Sequence, residues 1–133
     1  MERRVSFAYE RALTPIGFTW IPMARVSLSH WRRRLELDMT CDSGADLTMV
    51  PFQVGKSLGM RRGTQTIATL SGIAGGTPYL LRSVTLRLGP IRLRCRLAWA
   101  QSEDVPMLLG RTDVFDRLRV TFDGRRRRVT FRQ

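Results

Sequence analysis

Residues 34–50 read RLELDMTCDSGADLTMV. From Arg34 to Cys41 the stretch alternates strictly, with Leu35, Leu37, Met39 and Cys41 on one face and Arg34, Glu36, Asp38 and Thr40 on the other. A period of two is the signature of a half-buried β-strand. Asp42, Ser43 and Gly44 come next, and these residue types turn a chain rather than extend it. A loop is therefore expected to present the Asp42 carboxylate at the end of a buried strand, a geometry that suits catalysis.

Working outward, the shorter run Arg25 to Ser29 is expected to pair with this strand across His30 and Trp31. Downstream, Leu47 to Val50 leads to Pro51, whose fixed φ suits the first turn of a helix, and Gly59, which suits a left-handed end. A short helix is expected between them, although Gly55 lies inside it. Gln65 to Leu88 reads as strand, glycine-rich tip and strand, with Gly72, Gly75 and Gly76 giving a mobile hairpin its conformational freedom. Gly89 and Pro90 reverse the chain into IRLRCRLAW, where Ile91, Leu93, Cys95, Leu97 and Trp99 face one way and Arg92, Arg94 and Arg96 the other.

Past Met107 to Leu109 come Gly110 and Arg111, and Thr112 is expected to cap a helical turn from Asp113 to Arg117. Asp123 and Gly124 signal a hairpin whose closing strand turns Val129 and Phe131 to one side. The expected class is all-β and barrel-like, with one or two short helices. Residues 21–133 are expected to form a single domain, preceded by an extension of uncertain structure at 1–20.

The chain has 133 residues, 43% of them hydrophobic, enough for one domain with its own core. Its 23 basic and 11 acidic residues leave a formal charge of +12. Lys56 is the only lysine, so the excess is almost wholly arginine. Such an excess suggests an anionic partner without identifying it. The arginines alternate with apolar residues, as they would on a solvated outer face. Two cysteines and one histidine give no disulfide framework and no zinc-site spacing, so neither metal nor cofactor is expected. Cys41 and Cys95 fall on apolar faces and read as packing residues, and His30 is assigned no catalytic role. No stretch approaches the ~20 apolar residues of a membrane helix. A soluble, cytoplasmic protein without membrane contact is expected.

The tetrapeptide DSGA at Asp42–Ala45, the glycine-rich LSGIAGGTPY and the late LLGR at Leu108–Arg111 occur in one order and spacing. In these motifs the chain resembles the retropepsin-like aspartic proteases, the family of retroviral proteases and their cellular relatives, over roughly Arg25 to Phe131. Each motif alone is modest, and their order and separation together are specific.

The resemblance implies a closed β-barrel of the acid-protease type, acting as a homodimer on a peptide or protein substrate. It implies Asp42 as the catalytic acid with Ser43 and Gly44 beside it. Ala45, Asp46 and Arg111 are implied in substrate binding and structural support, with Asp46 and Arg111 meeting beneath the loop. Gly72, Ile73, Ala74, Gly75 and Gly76 are implied as the flap. The chemistry needs two carboxylates about 3 Å apart, which share one proton and act together as base and acid. One DSG loop and 133 residues are too few for a two-lobed enzyme, so a second copy must supply the other aspartate.

Two other readings compete. A basic β-barrel could bind nucleic acid, with Trp20, Trp31 and Trp99 as stacking residues. Against it, Trp99 falls on an apolar face and the arginines are spread along the chain, so nucleic acid is not expected as a partner. Alternatively, a protease-like dimer without activity would serve as a binding module.

Overall fold

The computed structural model describes residues 2–63, the backbone of 68–70, and 76–133. In chain order its strands begin with β1 (Arg4–Ala8), β2 (Glu10–Thr14), β3 (Gly17–Ile21), β4 (Met23–His30) and β5 (Arg33–Cys41). Next come β6 (Thr48–Val50), the helix α1 (Phe52–Ser57), β7 (Ala68–Leu70), β8 (Thr77–Leu88) and β9 (Ile91–Ala100). The chain ends with β10 (Leu108–Leu109), a 3₁₀ turn at Phe115–Arg117, β11 (Arg119–Asp123) and β12 (Arg128–Arg132).

Alternation decides which side of each strand is buried. On β9 the odd-numbered residues Ile91 to Trp99 are all buried, while Arg92, Arg94 and Arg96 are exposed. On β4 and β5, Val26, Leu28, Met39 and Cys41 turn into the same core. Each aliphatic side chain buried in this way contributes about 1.5–3 kcal/mol. Among the described residues seven strands join in the order β4-β5-β10-β6-β9-β8-β7. β4 also pairs with β8, so the paired order returns to β4 through six strands.

The helix forms where Pro51 and Gly59 bracket it, Pro51 as the N-cap and Gly59 at φ +77°. Gly55 is required inside it. A Cβ there would lie within 3.0 Å of the Trp99 indole, which stacks on Phe52 and donates its Nε1–H to the Phe52 carbonyl at 2.9 Å.

Residues 4–21 form strands despite Pro15. Pro15 lies in the β2–β3 turn, where its missing N–H costs no ladder bond. β1 pairs with β12, which pairs with β11 in a separate three-stranded sheet, and Phe7 meets Phe131 edge to face.

One local expectation is corrected. Thr112 caps no helical turn, because Asp113 adopts φ +65° and helical geometry cannot begin there. The segment beyond Asp113 forms only the 3₁₀ turn, without a side-chain cap. The hairpin signalled by Asp123 and Gly124 forms between β11 and β12, with a positive φ at Arg127 of +54°.

Candidate active site

Three short strands meet at the end of β5. β10 runs parallel to β5, pairing Leu109 with Cys41, and on its other side Leu108 pairs with Met49 of β6. The LLGR segment therefore lies between the two strands that flank the DSGA loop. The Asp42 N–H donates to the Leu109 carbonyl at 3.0 Å, continuing the β5–β10 ladder into the loop. The Cys41 N–H donates to the Pro22 carbonyl at 2.9 Å, fixing the strand end from its other side.

Inside the loop, Asp42 Oδ1 accepts the Gly44 N–H at 2.9 Å and the Asp42 carbonyl accepts the Ala45 N–H at 3.1 Å. A Cβ on Gly44 would stand 3.2 Å from Oδ1, tighter than an ordinary contact, so glycine gives the amide its close approach. One carboxylate oxygen is thus oriented. The other has no hydrogen-bond partner among the described residues. Asp42 is half-buried, while Ser43 and Gly44 are exposed, so the carboxylate stands at the surface on a fixed loop.

The loop is held from below by the segment after β10. The Arg111 N–H donates to the Ala45 carbonyl at 2.9 Å and the Thr112 N–H to the Asp46 carbonyl at 3.0 Å. The Arg111 guanidinium donates to the Ser43 carbonyl at 3.0 Å and forms an ion pair with Asp46. The pair lies at the surface, with the Asp46 side chain 74% exposed.

Two supporting residues escape a reading of the motifs. Thr48 is fully buried and its Oγ1 accepts the Gly110 N–H at 3.0 Å. Its signal is a hydroxyl residue inside the apolar run LTMV. Asp113 is nearly buried and takes Arg96 Nε at 2.7 Å, the Arg96 N–H at 3.0 Å and Arg117 at 2.8 Å. The hydrogen bonds from Arg96 hold its carboxyl down at about 2. These charged bonds tie β9 to the segment that carries Arg111. Local sequence offers Arg117, four residues on, but not Arg96, which lies on β9.

Of the flap residues, Gly76 is described, at φ +76° next to Thr77 of β8, and β7 pairs with β8 from Leu70↔Thr77 to Ala68↔Tyr79. Gly72, Ile73, Ala74 and Gly75 lie outside the described residues. Both cysteines are buried and free, and burial pushes each thiol up to about 12. His30 Nδ1–H donates to the Leu58 carbonyl at 2.8 Å, a structural contact with the end of α1.

Residues 33–112 match the protein family described as aspartyl protease, a span that includes the DSGA and LLGR segments. Among solved structures, the chain is similar to a retropepsin-like aspartic protease from Rickettsia conorii, with a TM-score of 0.65, 10% identity and coverage of 99% of this chain and 92% of that one. It is also similar to the EIAV protease complexed with the inhibitor HBY-793, with a TM-score of 0.55, 20% identity and coverage of 68% and 82%. No curated protein matches the sequence. At these identities the structural likeness concerns the fold, which is all-β and retropepsin-like.

Proposed function

We propose that this chain, which belongs to the aspartyl protease family, hydrolyses peptide bonds as a homodimer in which each copy contributes Asp42. One observation carries the reading. The chain holds a single DSG loop, and that loop presents one surface carboxylate, oriented on one oxygen only. Aspartic chemistry requires two such groups, and a two-fold axis beside the loop supplies the second.

In that dimer the two carboxylates share one proton, because like charges at that separation cannot both persist. The ionised member takes a proton from a water held between them, and that water attacks the scissile carbonyl carbon. The protonated member gives its proton to the carbonyl oxygen, so a neutral gem-diol replaces a charged intermediate. Proton transfer to the leaving nitrogen then breaks the C–N bond.

Ser43, exposed beside Asp42, is positioned to bond its counterpart across the axis. Gly44, without a side chain, leaves room for an extended substrate backbone. Ala45 and Asp46 border the same cleft, where Arg111 fixes the Ala45 carbonyl and the Asp46 carboxylate and Thr112 fixes the Asp46 carbonyl from below. The flap assigned by the resemblance, Gly72, Ile73, Ala74, Gly75 and Gly76, has the role of closing over the peptide and excluding water.

The deciding experiment measures cleavage of a peptide library together with sedimentation of wild-type protein and Asp42→Asn. Cleavage by a dimer, lost in an Asp42→Asn protein that remains folded and dimeric, supports the reading. Cleavage retained by Asp42→Asn, or carried out by a strict monomer, overturns it.

A further inference from the structure

The fold gathers arginines that the sequence disperses. Strand register places Arg34, Ser29, Thr85 and Arg94 in one row across β5, β4, β8 and β9. The next row holds Glu36, Ser27, Arg87 and Arg92. Short hydroxyl side chains in the middle and long guanidinium stems around them leave an open trough of about 280 Å³, with Trp31 on its rim.

The charge in this trough is poorly compensated. Arg34 is paired with Glu36 at 2.9 Å, but among the described residues no carboxylate pairs with Arg87, Arg92 or Arg94. Arg87 and Arg92 stand directly opposite each other on neighbouring strands, a like-charge arrangement that weakens a sheet. An external anion removes that cost.

Trp31 adds a second, independent observation. The residue is 91% exposed, and its backbone is held at φ +56°, a region costly for a bulky residue. Among the described residues its ring neighbour is His30, edge-on at 6.4 Å, which leaves the indole face open. Nothing in the core rewards this placement. By contrast Trp99 is fully buried, and Trp20 is covered by Arg127 at 4.2 Å.

We propose that this face binds single-stranded nucleic acid, with phosphates on Arg87, Arg92 and Arg94 and a base stacked on Trp31. Guanidinium groups suit phosphates, and an exposed indole suits any unpaired base. The site lies at the opposite end of β5 from Asp42, and nine extended residues separate them by roughly 30 Å. It therefore does not depend on the reading of the Asp42 loop.

Fluorescence anisotropy of a labelled twelve-nucleotide oligo(dT) or oligo(U), titrated with the full chain at several salt concentrations, tests the proposal. Three phosphate contacts predict a salt slope of about −2, from roughly −0.7 per contact on a single strand. Trp31→Ala is expected to weaken binding at least about fivefold, the lower end of base–aromatic stacking. The double variant Arg87→Ala/Arg92→Ala is expected to weaken it more strongly than Arg125→Ala/Arg126→Ala, which removes equal charge from the β11–β12 turn. All these positions are exposed, and circular dichroism checks that the variants fold. Unchanged affinity in Trp31→Ala, equal losses in the two arginine pairs, or tighter binding of a duplex or a sulfated polysaccharide overturns the proposal.

Discussion

Arg111 and Asp46, 65 residues apart in the chain, are joined by an ion pair at the base of the DSGA loop, and the same guanidinium holds the Ser43 carbonyl at 3.0 Å. Both side chains are substantially exposed, and exposed pairs contribute only about 0–1 kcal/mol to stability. Their effect on loop position is the larger one. Arg111→Ala is expected to lower the urea midpoint only slightly while reducing peptide cleavage at least about tenfold, since small misplacements of reacting groups are costly. Paired denaturation and cleavage assays separate the two effects, and a proportional loss in both contradicts this assignment.

Gly110 is expected to tolerate no side chain. A Cβ there would stand 2.5 Å from the Leu47 carbonyl carbon and 2.9 Å from the Ala45 oxygen, both backbone atoms of the loop. Backbone cannot rotate aside, so Gly110→Ala is expected to destabilise by about 1–3 kcal/mol and to displace the loop. Thermal unfolding measures the first effect, and loss of cleavage in the protein that remains folded measures the second.

Gly55 sets helix propensity against packing. In an open helix, Gly→Ala stabilises by about 0.5–1 kcal/mol. Here the new methyl would enter the Trp99 ring, which is buried, stacked on Phe52 and hydrogen-bonded. Overpacking costs about 1–3 kcal/mol, so packing outweighs propensity. Gly55→Ala is expected to lower stability, with an altered tryptophan emission spectrum as the local signature. A raised Tm contradicts this.

Asp113 is expected to govern the acid limb of stability. Its carboxyl is held at about 2 in the fold by Arg96, against an ordinary value of 3.8. Between these values the unfolded chain binds the proton that the folded one refuses. The contribution is therefore complete above about pH 5, declines as the pH falls through the window from 3.8 to 2, and is gone below it. Asp113→Asn, which tolerates the positive φ, is expected to cost about 1.5–3 kcal/mol at neutral pH from the charged hydrogen bonds. It should also flatten the pH dependence of the urea midpoint in that window. An unchanged acid limb contradicts the assignment.

Much of the fold was legible because alternation is a local property. The strand from Arg34 to Cys41, the β8–β9 turn at Gly89 and the helix bracketed by Pro51 and Gly59 each arise from neighbours in sequence. The motifs DSGA and LLGR could likewise be read as linear strings, and with them the family. Thr112 misled because capping propensity is also local, whereas the next residue, Asp113, is held at φ +65° with its carboxylate on Arg96 of a distant strand.

Residue order by itself determined the all-β class and the loop that carries Asp42 at the end of β5. Tertiary structure alone decided that Thr48 carries Gly110, that Asp113 binds Arg96, and that arginines from β8 and β9 converge near Trp31. The reason is physical: a strand's period is written along the chain, but partners across a sheet depend on register, which long-range pairing sets.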